Sequence, residues 1–220
     1  MTAHETELRQ SIIDACRGMN ASGLNQGTSG NISLRNGDVM LITPSGVPYD
    51  RLEPAMIAAL PLDGKGAYEG PMKPSSEWRF HLDILNARPD IGAVVHTHST
   101  YATALAIAGR EIPACHYMIA ATGGPVVRCA DYATYGTQEL SDAVLKALDG
   151  RLACLMANHG MLAAGTDLAK AMWLAKELET LARQYYLALP LGPQILPDAE
   201  IERVREKFKG YGLNAQKAAG

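Results

Sequence analysis

His96 and His98, two residues apart at the end of the apolar run Ala93-Val94-Val95, are spaced to chelate a metal. Side chains alternate across a strand, so the two imidazoles share a face while Thr97 points to the other. A third imidazole, His159, follows a second apolar run, Leu152 to Ala157, in the turn Asn158-His159-Gly160. Three neutral histidines around zinc leave a coordination position open, which is how catalytic zinc sites are built. A His-x-His pair by itself is as readily a packing feature. A histidine at the end of each of two buried strands suggests convergence at one sheet edge.

Three segments rich in Gly, Ser and Thr fall at element ends: Gly27-Thr28-Ser29-Gly30-Asn31, Thr43-Pro44-Ser45-Gly46 and Pro74-Ser75-Ser76. Hydroxyls, backbone amides and a helix N-terminus at Ser75 or Ser76 can hold a phosphate without lysine or arginine. Tight-turn chemistry accounts equally for any one of them, and none matches a Walker A or GxGxxG loop. Glu77 has two readings. It is a carboxylate stabilising its helix's first turn, or a ligand of the resting metal that swings away to move a proton beside a metal-polarised carbonyl.

The elements that must position these groups follow from periodicity and punctuation. Helical spacing of Leu8, Ile12, Ile13, Cys16 and Met19 predicts a helix over 6–21 stopped by Gly23, and a hairpin follows, 31–35 and 39–43, turning on Asn36-Gly37 as type I′. A helix starts at Ser75 or Ser76 and ends before Pro89; 93–98 is a buried strand; a short helix over 100–108 is capped by Ser99 and closed by Gly109. Residues 126–130 read as one strand, Thr137 opens a helix ending near Gly150, and 152–157 with 161–164 form a hairpin around the Asn-His-Gly turn. A long helix runs from Asp167 to about Leu189 behind Thr166, and Asp198 caps the last one. Strands and helices mingle without a regular βαβ rhythm, so the expected class is α/β in α/β/α layers, with a central mixed, largely antiparallel sheet flanked by helices.

At 220 residues, 47% apolar and 20% charged, the chain is sized for a single domain spanning 1–220 with a well-buried core. No apolar run approaches the roughly 18 residues of a membrane span. The opening MTAHETELRQ lacks the basic and then apolar regions of a signal peptide, so a cytoplasmic location is expected. Cys16, Cys115, Cys129 and Cys154 are scattered and expected to be reduced. A net charge of −3 without a basic run excludes a nucleic-acid footprint.

The segments LNQGTSGNIS, LITPSGVPYD, PSSEWRFH, VVHTHS, IPACHYMIAATGG, YATYGT, NHGMLAAG, AMWLAKELE and EKFKGYG together resemble the class II aldolase and adducin-head family, in particular its fuculose-1-phosphate aldolases, over nearly the whole chain. The resemblance implies one Zn2+ per chain on His96, His98 and His159, with Glu77 as fourth ligand and acid/base group. It implies a phosphate site from Thr28, Gly30, Asn31, Ser45, Gly46, Ser75 and Ser76. A homotetramer follows, with active sites between subunits. The resemblance further implies that a neighbouring chain lends Tyr117 as second proton carrier and that Tyr211 closes over the substrate. The activity implied is reversible cleavage of a ketose 1-phosphate, L-fuculose 1-phosphate or a 5-deoxy or 5-substituted pentulose 1-phosphate, to dihydroxyacetone phosphate and a small aldehyde through an enediolate.

Tyr135 stands where those enzymes carry phenylalanine, Asn158 where they carry histidine, and Thr97 and Ser99 where they carry Asn and Ala, all of which bear on aldehyde specificity. Rivals on the same fold are 4-epimerases, dehydratases, decarboxylases and a non-catalytic adducin-like module. The resembling epimerases carry Asp where this chain has Glu77. A Schiff-base mechanism lacks a lysine within an apolar strand, Lys73 being the nearest.

Overall fold

The computed structural model describes residues 2–65 and 67–209. Helix α1 (Ala3–Ala21) begins a turn earlier than periodicity indicates, because Thr2 accepts a hydrogen bond from the Glu5 amide and supplies an N-cap. Strands β1 (Asn31–Asn36) and β2 (Val39–Ile42) pair antiparallel. Their turn centres on Gly37-Asp38 rather than Asn36-Gly37. Asn36 pairs with Val39 and only Gly37 has a positive φ, the type II′ pattern instead of I′.

An edge strand, β3 (Ala58–Pro61), escapes the sequence reading because it is short and ends in proline. Helix α2 (Trp78–Ala87) starts later than expected. Ser75 N–H donates instead to Thr43 O, and Glu77 occupies the N-cap position without a capping bond, its carboxylate turned toward Asn31 and the histidines. Then come β4 (Ala93–Thr97) and α3 (Thr100–Ile107), closed by Gly109 at φ +61.

Residues 126–130 are not one strand. The chain switches sheets at Arg128, so β6 (Val126–Val127) pairs with β5 (Ile112–Pro113), while β7 (Cys129–Ala130) runs parallel to β8 (Ala153–Met156). Helix α4 (Gln138–Ala147) is capped by Thr137. The β8–β9 hairpin closes with β9 (Gly160–Gly165), and α5 (Leu168–Ala188) is capped by Asp167 rather than Thr166. Asp198 is the first residue of α6 (Asp198–Lys209).

The seven-stranded sheet has the order β3-β2-β1-β4-β9-β8-β7. All its pairs are antiparallel except β7–β8, which bears out the mixed, largely antiparallel expectation. Two cores result from side-chain alternation. Ile32, Val95 and Leu155 pack with Ile12, Leu105 and Leu178 of α1, α3 and α5, while Val94, Met156 and Leu162 pack with Phe80, Leu85 and Val144 of α2 and α4. The layers are therefore α/β/α. The four cysteines are unpaired, and among the described residues no helix is long and apolar enough to cross a membrane.

Candidate active site

Register places the first histidine. Asn31 faces His96 and Ser33 faces Val94 across the β1–β4 ladder, on the α2 side of the sheet. His96 is fully buried against the edge of Phe80, and its Nδ1–H donates to Met161 O at 2.9 Å, which leaves Nε2 as a bare lone pair. His98 lies one residue beyond the strand on the same face, its Nε2 3.1 Å from that of His96. His159 is held by the tight β8–β9 turn, where Asn158 adopts φ +54, a conformation that asparagine tolerates. Gly160 must be glycine. A Cβ there would sit 2.6 Å from Thr97 O and 2.8 Å from the His98 ring.

The three rings form a propeller, with centroids 4.9–5.0 Å apart and each pair inclined by 74–76°. Nitrogens bound at zinc distance around a tetrahedral centre lie about 3.3 Å apart. The 3.1 Å separation of His96 and His98 is close to that. Glu77 completes the group, Oε2 3.3 Å from His96 Nε2 and Oε1 3.1 Å from His159 Nε2. Buried Glu77 Oε1 has no other partner among the described residues, so its contact with His159 Nε2 is favourable only with a proton or a cation between the two atoms. These donors fit a divalent metal. Burial alone would raise the Glu77 carboxyl, but positive charge on the facing His96 and His159, or on a metal ion held between them, outweighs it and holds the group well below the usual carboxylate range.

Behind Glu77 lies a chain of bonds that sequence reasoning missed. Asn31 Nδ2 donates to Glu77 Oε2 at 2.9 Å, which turns Asn31 Oδ1 toward His81 Nε2 at 2.5 Å. His81 Nε2 therefore carries the proton, and Nδ1 accepts from Ser33 Oγ at 2.8 Å. Complete burial pushes the His81 imidazole down to about 3, so it stays neutral. The partners are 46–50 residues apart and leave no local signature.

A cavity of about 340 Å³ opens in front of the histidines and gathers Thr28, Gly30, Asn31, Ser45, Gly46, Ser75, Ser76, Glu77, His98, Tyr135 and His159. Ser29, Tyr132, Ala133 and Asn158 line it too; of these, Tyr132 was foreshadowed only by its place in the YATYGT segment. No lysine or arginine is among its lining residues. The Ser45 and Ser75 amides are spent on Lys73 O and Thr43 O, so those residues can offer hydroxyls rather than free amides, and Ser75 is not the helix-start amide expected of it. Tyr117 is not in this cavity. It stands 49% exposed in a separate apolar groove with Trp173 and Phe208. Tyr211 lies outside the described residues.

The chain is 54% identical to a 5-methylthioribulose-1-phosphate/5-deoxyribulose-1-phosphate aldolase of Rhodospirillum rubrum, over 98% of this chain and 97% of that protein. It is 50% identical to the L-fuculose phosphate aldolase of Escherichia coli, over 96% and 98% respectively. Among solved structures, an L-fuculose 1-phosphate aldolase superposes with a TM-score of 0.89 at 42% identity, covering 93% of this chain and 97% of that one. Residues 10–186, which hold the three histidines, Glu77 and the hydroxyl-lined cavity, match the Class II Aldolase and Adducin N-terminal domain, and the chain belongs to that family.

Proposed function

We propose that this protein is a zinc-dependent aldolase. It reversibly cleaves a ketose 1-phosphate, L-fuculose 1-phosphate or a 5-deoxy or 5-methylthio pentulose 1-phosphate, to dihydroxyacetone phosphate and a small aldehyde. The observation that carries this reading is the buried Glu77 carboxylate set against three converging imidazoles at the floor of a cavity lined by hydroxyls and without a basic residue. The names of its relatives supply the substrate class.

His96, His98 and His159 hold the metal, with Glu77 beside them. A bound divalent cation supplies the Lewis acidity that polarises the C2 carbonyl. Thr28, Gly30, Asn31, Ser45, Gly46, Ser75 and Ser76 bind the phosphate, and Tyr135 borders the aldehyde half. In the synthetic direction the Glu77 carboxylate takes a proton from C3 of dihydroxyacetone phosphate. In cleavage it returns that proton to C3 after the C3–C4 electron pair has passed toward the C2 oxygen. The C4 hydroxyl proton leaves to Tyr117 of a neighbouring chain in a homotetramer, which accounts for a half-exposed tyrosine remote from its own cavity, and Tyr211 closes over the substrate. The whole of 1–220 acts as one cytoplasmic domain.

Metal analysis is expected to find about one zinc per chain. A coupled assay over five- and six-carbon ketose 1-phosphates is expected to release dihydroxyacetone phosphate and aldehyde, and chelation to stop it. Conversion to an epimer without free aldehyde, release of carbon dioxide, or full activity without metal would overturn the proposal.

A further inference from the structure

His96 and His98 are aimed differently. The outer nitrogen of His96 is bonded to Met161 O, the usual way in which a protein orients a metal-binding imidazole. The Nδ1 of His98 has no protein partner among the described residues, and its backbone N–H reaches Asn25 Oδ1 at only 3.5 Å. Apart from packing against Gly160 and the other two rings, the direction of the His98 ring thus depends on the backbone at the junction between β4 and α3.

Besides the Ser99 N–H bond to Thr97 Oγ1 at 3.1 Å, one carboxylate holds that junction. Ser99 sits at the N-cap position of α3 with extended backbone but makes no capping bond. Its Oγ donates instead to Glu179 Oε2 at 2.7 Å, and the Tyr101 and Ala102 amides donate to Glu179 Oε1 and Oε2 at 2.8 and 2.9 Å. The second and third amides of α3, ordinarily satisfied by the cap residue itself, are thus satisfied by a side chain from the middle of α5, favourably placed at the positive end of the helix. A local cap would hold α3 to itself. A carboxylate on α5, which packs on the same sheet face, holds α3 in place relative to the sheet that carries His96.

We propose that Glu179 is a positioning residue that sets the direction of His98 by tying the start of α3 to α5; this rests on the reading of His98 as a metal ligand. The test compares wild-type protein with Glu179→Gln and with Glu179→Gln/Ser99→Asp. Cobalt(II) and zinc affinity, the cobalt visible spectrum, thermal melts and, in metal-free protein, hydrogen exchange at Tyr101 and Ala102 are measured. Glu179→Gln is expected to weaken metal binding roughly 10- to 100-fold, as for other groups that orient ligands, to alter the cobalt spectrum and to speed exchange at both amides. In the double variant the carboxylate introduced by Ser99→Asp caps α3 locally and is expected to restore amide protection and melting temperature without restoring metal affinity.

Full recovery of affinity in the double variant would reduce Glu179 to an ordinary cap and overturn the positioning role. So would unchanged affinity and spectrum in Glu179→Gln. Should Glu179→Gln not fold, Glu179→Asp, which keeps the charge but draws α3 inward, must give a shifted cobalt spectrum for the proposal to stand. Wild-type protein that binds neither ion would sink the proposed function first and this inference with it.

Discussion

His96 and Asn31 face each other across a rung at the buried centre of the sheet, whereas Ser45, Gly46 and Ser76 stand exposed on two turns joined by the isolated bridge between Pro44 and Pro74. The histidine side of the cavity is held several times over, by strand register, the Met161 carbonyl, the Asn31–His81–Ser33 chain and the Gly160 contact. The side proposed for the phosphate relies on hydroxyls and turn backbone. A site of the first kind cannot relax when a member is lost, because neighbouring groups are buried and left unpaired. A site of the second kind has water to take up the vacated bond. Substitutions should therefore act almost all-or-none on one side and in graded steps on the other.

Removal of the metal tests that contrast most severely. His96→Ala, or chelation of the wild type, is expected to abolish measurable turnover, with zinc restoring only the chelated wild type. Activity surviving either treatment would dissolve the distinction. Next in size is Glu77→Gln. It is expected to keep zinc on the three histidines while turnover falls by roughly 10²–10⁴, the range for loss of a positioned acid or base. Metal content and single-turnover rates together check this, and wild-type turnover would remove Glu77 from proton transfer.

On the side proposed for the phosphate, Ser45→Ala or Ser76→Ala, each removing an exposed hydroxyl, is expected to raise KM for the ketose phosphate about tenfold or somewhat more, with kcat little changed, as for one hydrogen bond to a charged group. A fall in kcat matching that of Glu77→Gln would show both sides to be equally rigid. The smallest effect is on stability. His81 titrates near 6.5 in the unfolded chain but only at about 3 when folded. Between those values the unfolded state binds the extra proton, so metal-free protein loses stability as pH falls from 6.5 toward 3 and is unaffected by His81 above that window. Melts across pH 4–7 measure this, and an imidazole signal of His81 that titrates near 6.5 in folded protein would refute it.

The histidine pair, the Asn-His-Gly turn and the three hydroxyl-rich loops were legible because each depends on spacing or turn chemistry within a few residues. Thr137 and Gly109 were legible as helix ends for the same reason. The late start of α2 was not, since Ser75 gives its amide to Thr43 across the fold instead of opening a helix. The break at Arg128 was not either, because two adjacent dipeptides choose different partners, one of them the parallel neighbour β8.

By itself the sequence determined which groups meet at the ends of the central strands, since a period of two and a strand-ending turn dictate the faces on which His96, His98 and His159 emerge. Only the tertiary structure decided how those groups are aimed. Asn31 and His81 fix Glu77, and Glu179 ties down the start of α3, across separations of 46–80 residues. Bonds of that reach are set by the packing of α2 and α5 on opposite faces of one sheet, and no local periodicity records them.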